Sequence, residues 1–202
     1  MTNRGRPREF DRDAALTKAM VLFWERGYEG AAIGDLAAAM GINRPSLYAA
    51  FGCKEALFRE AMELYDRVES TPIQKLIDEA PTARAAVEAS LRHNAEVFTD
   101  RSRPRGCFVV LASIIGTPES ADVREALAEA RAAGERAMRE RIERGQREGD
   151  VDPAADAALI AAFYTTVMHG LSIQARDGAD RAALDAIVTA AMAAWPALSG
   201  KA

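Results

Sequence analysis

Between Ile33 and Gly52 the chain has little freedom in what it can become. Ile33, Leu36, Ala37 and Met40 recur at three- and four-residue spacing, which is one buried face of a helix. Gly41 follows at once and can take the positive φ that a tight turn needs, and Ile42 is placed to plug the gap beneath that turn. Asn43 is a strong N-cap, and Pro45 sits in a first helical turn, where a missing N–H costs little. A second helix therefore begins near Arg44. Leu47 and Ala50 face back onto Leu36 and Met40, and the small Ala37 lets the two axes approach.

A helix held at a fixed angle by its neighbour can enter a major groove with its N-terminal residues on the base edges. Here those residues are Arg44, Pro45 and Ser46. Arginine can bond guanine through two N–H groups, and serine can bond several partners. The Tyr48 hydroxyl, the helix N-terminal amides and Lys54 are placed for backbone phosphates, which position a protein without reading sequence. The first eight residues carry Arg4, Arg6 and Arg8 and no acid, a basic arm suited to phosphate or minor-groove contact. The net charge of −4 argues against indiscriminate nucleic-acid binding, but the average hides a gradient, since residues 61–202 hold 17 Lys and Arg against 22 Asp and Glu. Cationic reach is concentrated at the N-terminus. The expected partner is double-stranded DNA, and the expected function is transcription regulation.

The rest of the chain reads as helices. Expected spans are Asp11 to Arg26, closed by Gly27, then Lys54 to about Val68, with Pro72 interrupting or restarting the helix. Further spans are Thr82–Phe98, Cys107–Ile115, Ser120–Arg147, Pro153–Ala175 and Ala179–Ala194, separated by glycine and proline breaks. No stretch sustains period-two alternation of β-branched residues, so the fold class is all-α. The 202 residues suit a small head and a larger body: an arm at 1–8, a helix-turn-helix domain at 9–69 with its motif at 33–52, and a ligand-binding and dimerisation domain at 70–202. The absence of a bilayer-length apolar run and of an apolar stretch after the basic start points to a cytoplasmic protein with no membrane partner.

Two strips in the last helices suit close packing of a homodimer: Ile160, Phe163, Tyr164, Val167, Leu171 and Gln174 with small neighbours, and Ala183, Ile187, Ala190, Ala191 and Ala194. The competing reading is that they pack inside one subunit. A dimer is preferred because two heads roughly 34–36 Å apart can read successive major-groove faces. Candidates for a small-molecule pocket are Phe98, Cys107, Phe108, Leu111, Met138, Tyr164, Met168 and His169, although such residues are also ordinary core. The two histidines, His93 and His169, have no metal-ligand spacing, so no metal or cofactor is expected. No nucleophile–base pair or phosphate loop has a recognisable spacing, which argues against an enzyme. Cys53 and Cys107 are expected to be reduced thiols. Cys107 follows RPRG at a helix start, where the dipole and Arg105 would lower its pKa and make it a possible sensor of oxidants or electrophiles.

The stretch FWERGYEGAAIGDLAAAMGINRPSLYAAFGCKEALFREA resembles the N-terminal domain of TetR/AcrR-type regulators, through the GY after the first helix, the LYxxF of the second motif helix and the KEAL that opens the next. The resemblance covers roughly residues 10–65. It implies a three-helix DNA-binding head, an all-helical ligand-binding body, a homodimer sealed by the last two helices, and phosphate-contact roles for Tyr48 and Lys54. Three positions depart from the pattern: Ala31-Ala32 replace a hydroxyl residue, Ala50 an aromatic or histidine, and Cys53 a polar cap. The reading that follows is a ligand-responsive repressor that binds a palindromic operator as a dimer and is released by a small molecule. A cysteine-based sensor is the alternative, with a helical enzyme or small-molecule carrier further behind; sequence does not separate repressor from activator.

Overall fold

In the computed structural model, which describes residues 10–112 and 115–201, every regular element is helical. The head is built from α1 (Arg12–Gly30), α2 (Ile33–Met40), α3 (Arg44–Phe51) and α4 (Lys54–Tyr65). Side chains start most of the long helices by taking otherwise unpaired N–H groups: Asp11 for α1, Asn43 for α3, Thr82 for α6 (Ala83–Thr99), Asp156 for α9 (Ala157–Arg176) and Asp180 for α10 (Arg181–Met192). Between α4 and α5 (Thr71–Glu79) lies a π-helical turn at Asp66–Ser70, so the chain bends there without leaving helical geometry, and Pro72 falls in the first turn of α5. The body is completed by α7 (Phe108–Leu111), a 3-10 turn at Pro118–Ser120, α8 (Ala121–Glu148) and α11 (Trp195–Ser199).

Several expected spans are shorter than their sequence pattern, and for two of them the hydrogen bonds give the cause. The helix expected over Cys107–Ile115 stops at Leu111, because the Ala112 carbonyl accepts the Tyr28 amide at 2.7 Å. The helix expected from Pro153 starts at Ala157, because the Asp156 carboxylate takes the amides of Ala158 and Leu159 while Pro153 stays in the preceding turn.

Apolar burial forms two clusters. One gathers Phe23, Trp24, Leu36, Leu47, Phe58 and Tyr65 with Phe108, Ala112, Val123 and Leu127, so it draws residues of the body under the head. The other gathers Leu91, Phe98, Ile142, Ile160, Tyr164, Leu184 and Trp195. Cys107 packs against both. The buried Arg141 guanidinium donates to the carbonyls of Ile77 and Ala80 at 3.3 and 3.2 Å, tying the end of α5 to α8.

Three backbone acceptors fasten α1 to the body. Trp24 Nε1 donates to the Gly106 carbonyl at 3.1 Å, the Tyr28 amide donates to Ala112, and the Arg176 guanidinium donates to the Glu25 carbonyl. Gly27, between them, has φ +71°, as its sequence position as a helix end required, and a Cβ there would lie 2.8 Å from the Ala112 oxygen. Gly41 also has a positive φ, +75°, but a Cβ there would meet nothing. Gly27→Ala is therefore expected to cost about 2–3 kcal/mol of stability against about 1 kcal/mol for Gly41→Ala. Urea denaturation of both variants checks this, and equal losses would show that the Ala112 contact does not restrict Gly27.

Candidate nucleic-acid interface and interior cavity

The turn between α2 and α3 closes as its residues dictate. Gly41, left-handed, donates its N–H to Ala38, and the Ile42 N–H bonds Ala37 at 3.0 Å. Asn43 Oδ1 accepts the Ser46 amide at 2.8 Å, starting α3 at Arg44. Leu36, Met40, Leu47 and Phe51 are buried between the helices. Opposite them Arg44, Pro45 and Tyr48 are exposed, Tyr48 at 48%, and Ser46 is half-buried. The structure thus brings four of the candidate DNA contacts together on one exposed helix. Arg6 lies outside the described residues.

Gly34 was not singled out in the sequence, yet a Cβ there would lie 2.7 Å from Arg44 Nη2, so the Arg44 guanidinium lies against the start of α2. Asp35, the nearest acid in sequence to Gly34, pairs with Arg26 at 2.7 Å. Lys54 opens α4 with Nζ 4.4 Å above the Tyr28 ring. Partial burial lowers its pKa, opposed by the Glu29 carboxylate. Cys53, expected to leave the start of α4 without its polar cap, instead accepts the Ala56 amide on Sγ at 3.4 Å. Ala32 provides no side-chain cap to α2, and Ala31 is fully buried, so a hydroxyl is replaced there by packing.

A cavity of about 180 Å³ lies inside the body, walled by the π-helical turn and by residues of α5, α6, α8, α9 and the segment around α7. Five of the sequence candidates line it: Phe98, Cys107, Met138, Met168 and His169. The other three do not. Phe108 is buried in the head cluster with its ring 5.3 Å from that of Phe58 and 5.4 Å from that of Tyr65. Tyr164 is fully buried against Trp195 and donates its hydroxyl to the Ala191 carbonyl. Leu111 lies off the cavity wall, at the short end of α7. Helical spacing alone could not say which face of each helix turns to a void and which to a neighbour. Asn94 and Gly134 also line the cavity. Each carries a sequence signal: Asn94 is a polar residue in the apolar register Val87, Leu91, Phe98, and Gly134 is a glycine deep within an alanine-rich helix.

The expected low pKa of Cys107 is a correction. Burial pushes the thiol up, outweighing the Tyr65 hydroxyl, which donates to Sγ at 3.4 Å, and the amides of Val110 and Val109. Arg105 does not serve the sulfur, since its guanidinium donates to the Ala179 carbonyl. His169 is shifted down by burial and by Arg131.

The strips expected to seal a dimer are also redistributed. Ile160, Tyr164 and Leu171 of the first strip are buried within the subunit, and so are Leu184 and Val188, which lie beside the second strip on α10. The exposed line along α9 is Leu159, Phe163, Gly170 and Ile173, and along α10 it is Ala183, Ile187 and Ala190. Both Ala157–Arg176 and Arg181–Ser199 are long and apolar enough to cross a membrane by length and composition, which the sequence reading did not register.

Residues 15–61 match the family described as bacterial regulatory proteins, tetR family, and residues 83–191 match the tetracyclin repressor-like C-terminal domain. The chain is 36% identical over 197 residues to the HTH-type transcriptional repressor ComR of Escherichia coli (strain K12), covering 97% of this chain and 94% of that one. It is 32% identical to the HTH-type transcriptional repressor BdcR of the same organism, over 86% and 83% of the two chains. Among solved structures it is similar to a cysteine mutant of the TetR family transcriptional regulator CifR complexed with 26-base-pair double-strand operator DNA, with a TM-score of 0.93 and 49% identity over 95% of this chain and 100% of that one.

The two thiols should differ in reactivity. Cys53 is exposed and Cys107 half-buried with a raised pKa, so at pH 8 iodoacetamide should label Cys53 at least about tenfold faster. Peptide mass mapping over time checks it, and faster labelling of Cys107 would contradict the direction of its shift.

Proposed function

The chain belongs to the tetR family of bacterial regulatory proteins, and from that membership we propose that it is a transcriptional repressor that binds a palindromic DNA operator as a homodimer and is released by a small molecule. The observation that carries the reading is α3 itself: a capped helix, wedged on α2, with Arg44, Pro45 and Tyr48 exposed and Ser46 beside them. Arg44 reads base edges with Ser46, while Tyr48, Lys54 and the arm with Arg6 hold phosphates. Residues 1–8 act as the arm, 9–69 as the DNA-binding domain and 70–202 as the ligand-binding and dimerisation domain. The activity is regulation, not catalysis, and its setting is the cytoplasm. The similar structure with operator DNA and the relatives named as repressors support this reading.

The exposed apolar lines of α9 and α10 support the dimer. Leu159 is 57% exposed, Ile173 41% and Ile187 39%, with Gly170 and the alanines small enough for close approach. A partner helix pair is a better cover for them than lipid, because α10 also carries the Arg181–Asp185 ion pair at 2.7 Å. Release follows from the wall of the cavity. The 106–112 segment that borders it is the one that holds Trp24 and Tyr28, so a ligand that favours a different placement of that segment favours a different head spacing.

A second reading, opposed by the raised pKa of Cys107, rests on one contact, the Tyr65 hydroxyl on Cys107 Sγ at the cavity wall. Modification of that sulfur by an oxidant or electrophile would break the bond and add bulk between head and body. Cys107→Ser is then expected to keep operator affinity and lose release by hydrogen peroxide or by an alkylating agent; release equal to that of the wild type removes this reading.

With duplex DNA from upstream of its own gene, Arg44→Ala should reduce discrimination between that duplex and a scrambled one by about 5- to 150-fold. Lys54→Ala should weaken both duplexes alike and reduce the salt slope by about one. Fluorescence anisotropy at several salt concentrations measures both, and unchanged binding by the two variants would remove the proposed surface. Phe163→Arg should convert a dimer to a monomer in analytical ultracentrifugation, whereas a wild type already monomeric would overturn the dimer.

A further inference from the structure

Asn94 is a buried polar group of the cavity wall whose bonding is incomplete. Asn94, 3% exposed, lies on α6 among apolar neighbours. Its Nδ2 donates to the Ser90 carbonyl at 2.8 Å and lies 3.2 Å from Met168 Sδ. A carbonyl can only accept, so the amide cannot be turned the other way round. Oδ1 receives no hydrogen bond from the described residues, yet it is not among the polar atoms sealed from solvent. It opens on the cavity that Asn94 lines. A buried carboxamide oxygen without a donor is costly, and water or a ligand must supply one.

Across the cavity, α8 presents Ala130, Gly134 and Ala137 on the strip that lines the void. Glycine in a helix interior is less favourable than alanine. Nothing in the backbone or packing demands it here, since Gly134 has no positive φ and an added Cβ would meet no atom within 4 Å. Gly134 is exposed, on the open side of the cavity, and the missing side chain keeps that side clear.

We infer that this cavity takes a compact, uncharged molecule that donates a hydrogen bond to Asn94 Oδ1 and lays an apolar body over Gly134. The inference rests on the effector reading of the same cavity. At about 180 Å³ the void is below the roughly 300–1,000 Å³ of pockets for drug-sized ligands. It resembles in size the roughly 150 Å³ apolar cavity that accepts benzene. The wall carries charges of both signs, Asp66 and Glu69 against Arg131, but Glu69 is paired with Arg103 at 2.5 Å and Arg131 donates to the Val109 carbonyl at 2.9 Å, so the wall selects neither an anion nor a cation. The buried end offers only neutral groups, Asn94 and Ser90, which would leave a cation unpaired.

Phenol and toluene share size and shape, and only phenol carries a donor. A cavity without an acceptor prefers toluene, because the phenol hydroxyl must leave water. Calorimetry on the full chain is expected to show both probes binding, with Asn94→Leu moving the phenol-to-toluene affinity ratio about tenfold against phenol. Gly134→Leu should weaken both probes at least about tenfold. A ratio that Asn94→Leu leaves within about twofold, or no binding of either probe to the wild type, overturns the assignment. If Asn94→Leu does not fold, Gly134→Leu decides, since unchanged probe affinity there overturns it as well. Probe binding that leaves the operator complex intact would keep the assignment and remove the effector reading.

Discussion

The Ala112 carbonyl, which accepts the Tyr28 amide at 2.7 Å, is the constraint on which the arrangement of this molecule turns. The bond ends α7 after one turn, and it holds the last turn of α1 where Gly27 must be left-handed. With the Trp24 indole on the Gly106 carbonyl it fixes α1 at two points of one short segment. Two backbone acceptors six residues apart define an orientation as well as a position. The head is thereby carried on a segment, not merely attached by the α4–α5 connection.

That same segment closes the cavity. Cys107, Val109 and Val110 face it, while Phe108, between them, packs against Phe58 and Tyr65 in the head. One short helix therefore has one side against a void and the other against the core that supports α3. Packed cores do not deform continuously, so a ligand that moves this helix favours a second arrangement over the first, and does so only by its difference in affinity for the two. The π-helical turn at Asp66–Ser70, also on the cavity wall, places a locally wider helix where α4 leaves the head.

The helix-turn-helix was legible because its determinants are local. Gly41, Asn43 and Pro45 each act within three residues, and the geometry at each is the one its side chain favours. The departures at Ala31 and Cys53 were visible as letters but not as consequences: Ala31 replaces a hydroxyl with packing, and Cys53 caps with sulfur. The cavity was only partly legible. Cys107 and Phe108 are adjacent and alike in their apolar neighbourhood, and Tyr164 shares a helix with Met168, but in each pair only one reaches the void. The pKa direction of Cys107 failed for a related reason, since the favourable amides are local while the burial that outweighs them comes from residues far along the chain.

Sequence alone determined the class of fold, the helix-turn-helix with α3 starting at Arg44, and the family, because capping, turn conformation and apolar periodicity act over one or two helical turns. Tertiary structure alone decided which apolar face each long helix turns to a neighbour, to the cavity or to open surface. It placed Ile160 and Tyr164 inside and left Leu159, Phe163 and Ile173 outside. The physical reason is that 3.6-residue periodicity marks a buried face without marking what buries it. Only the packing of α9 against α6, α8 and α10 distinguishes a core contact from an empty volume or an unpartnered surface.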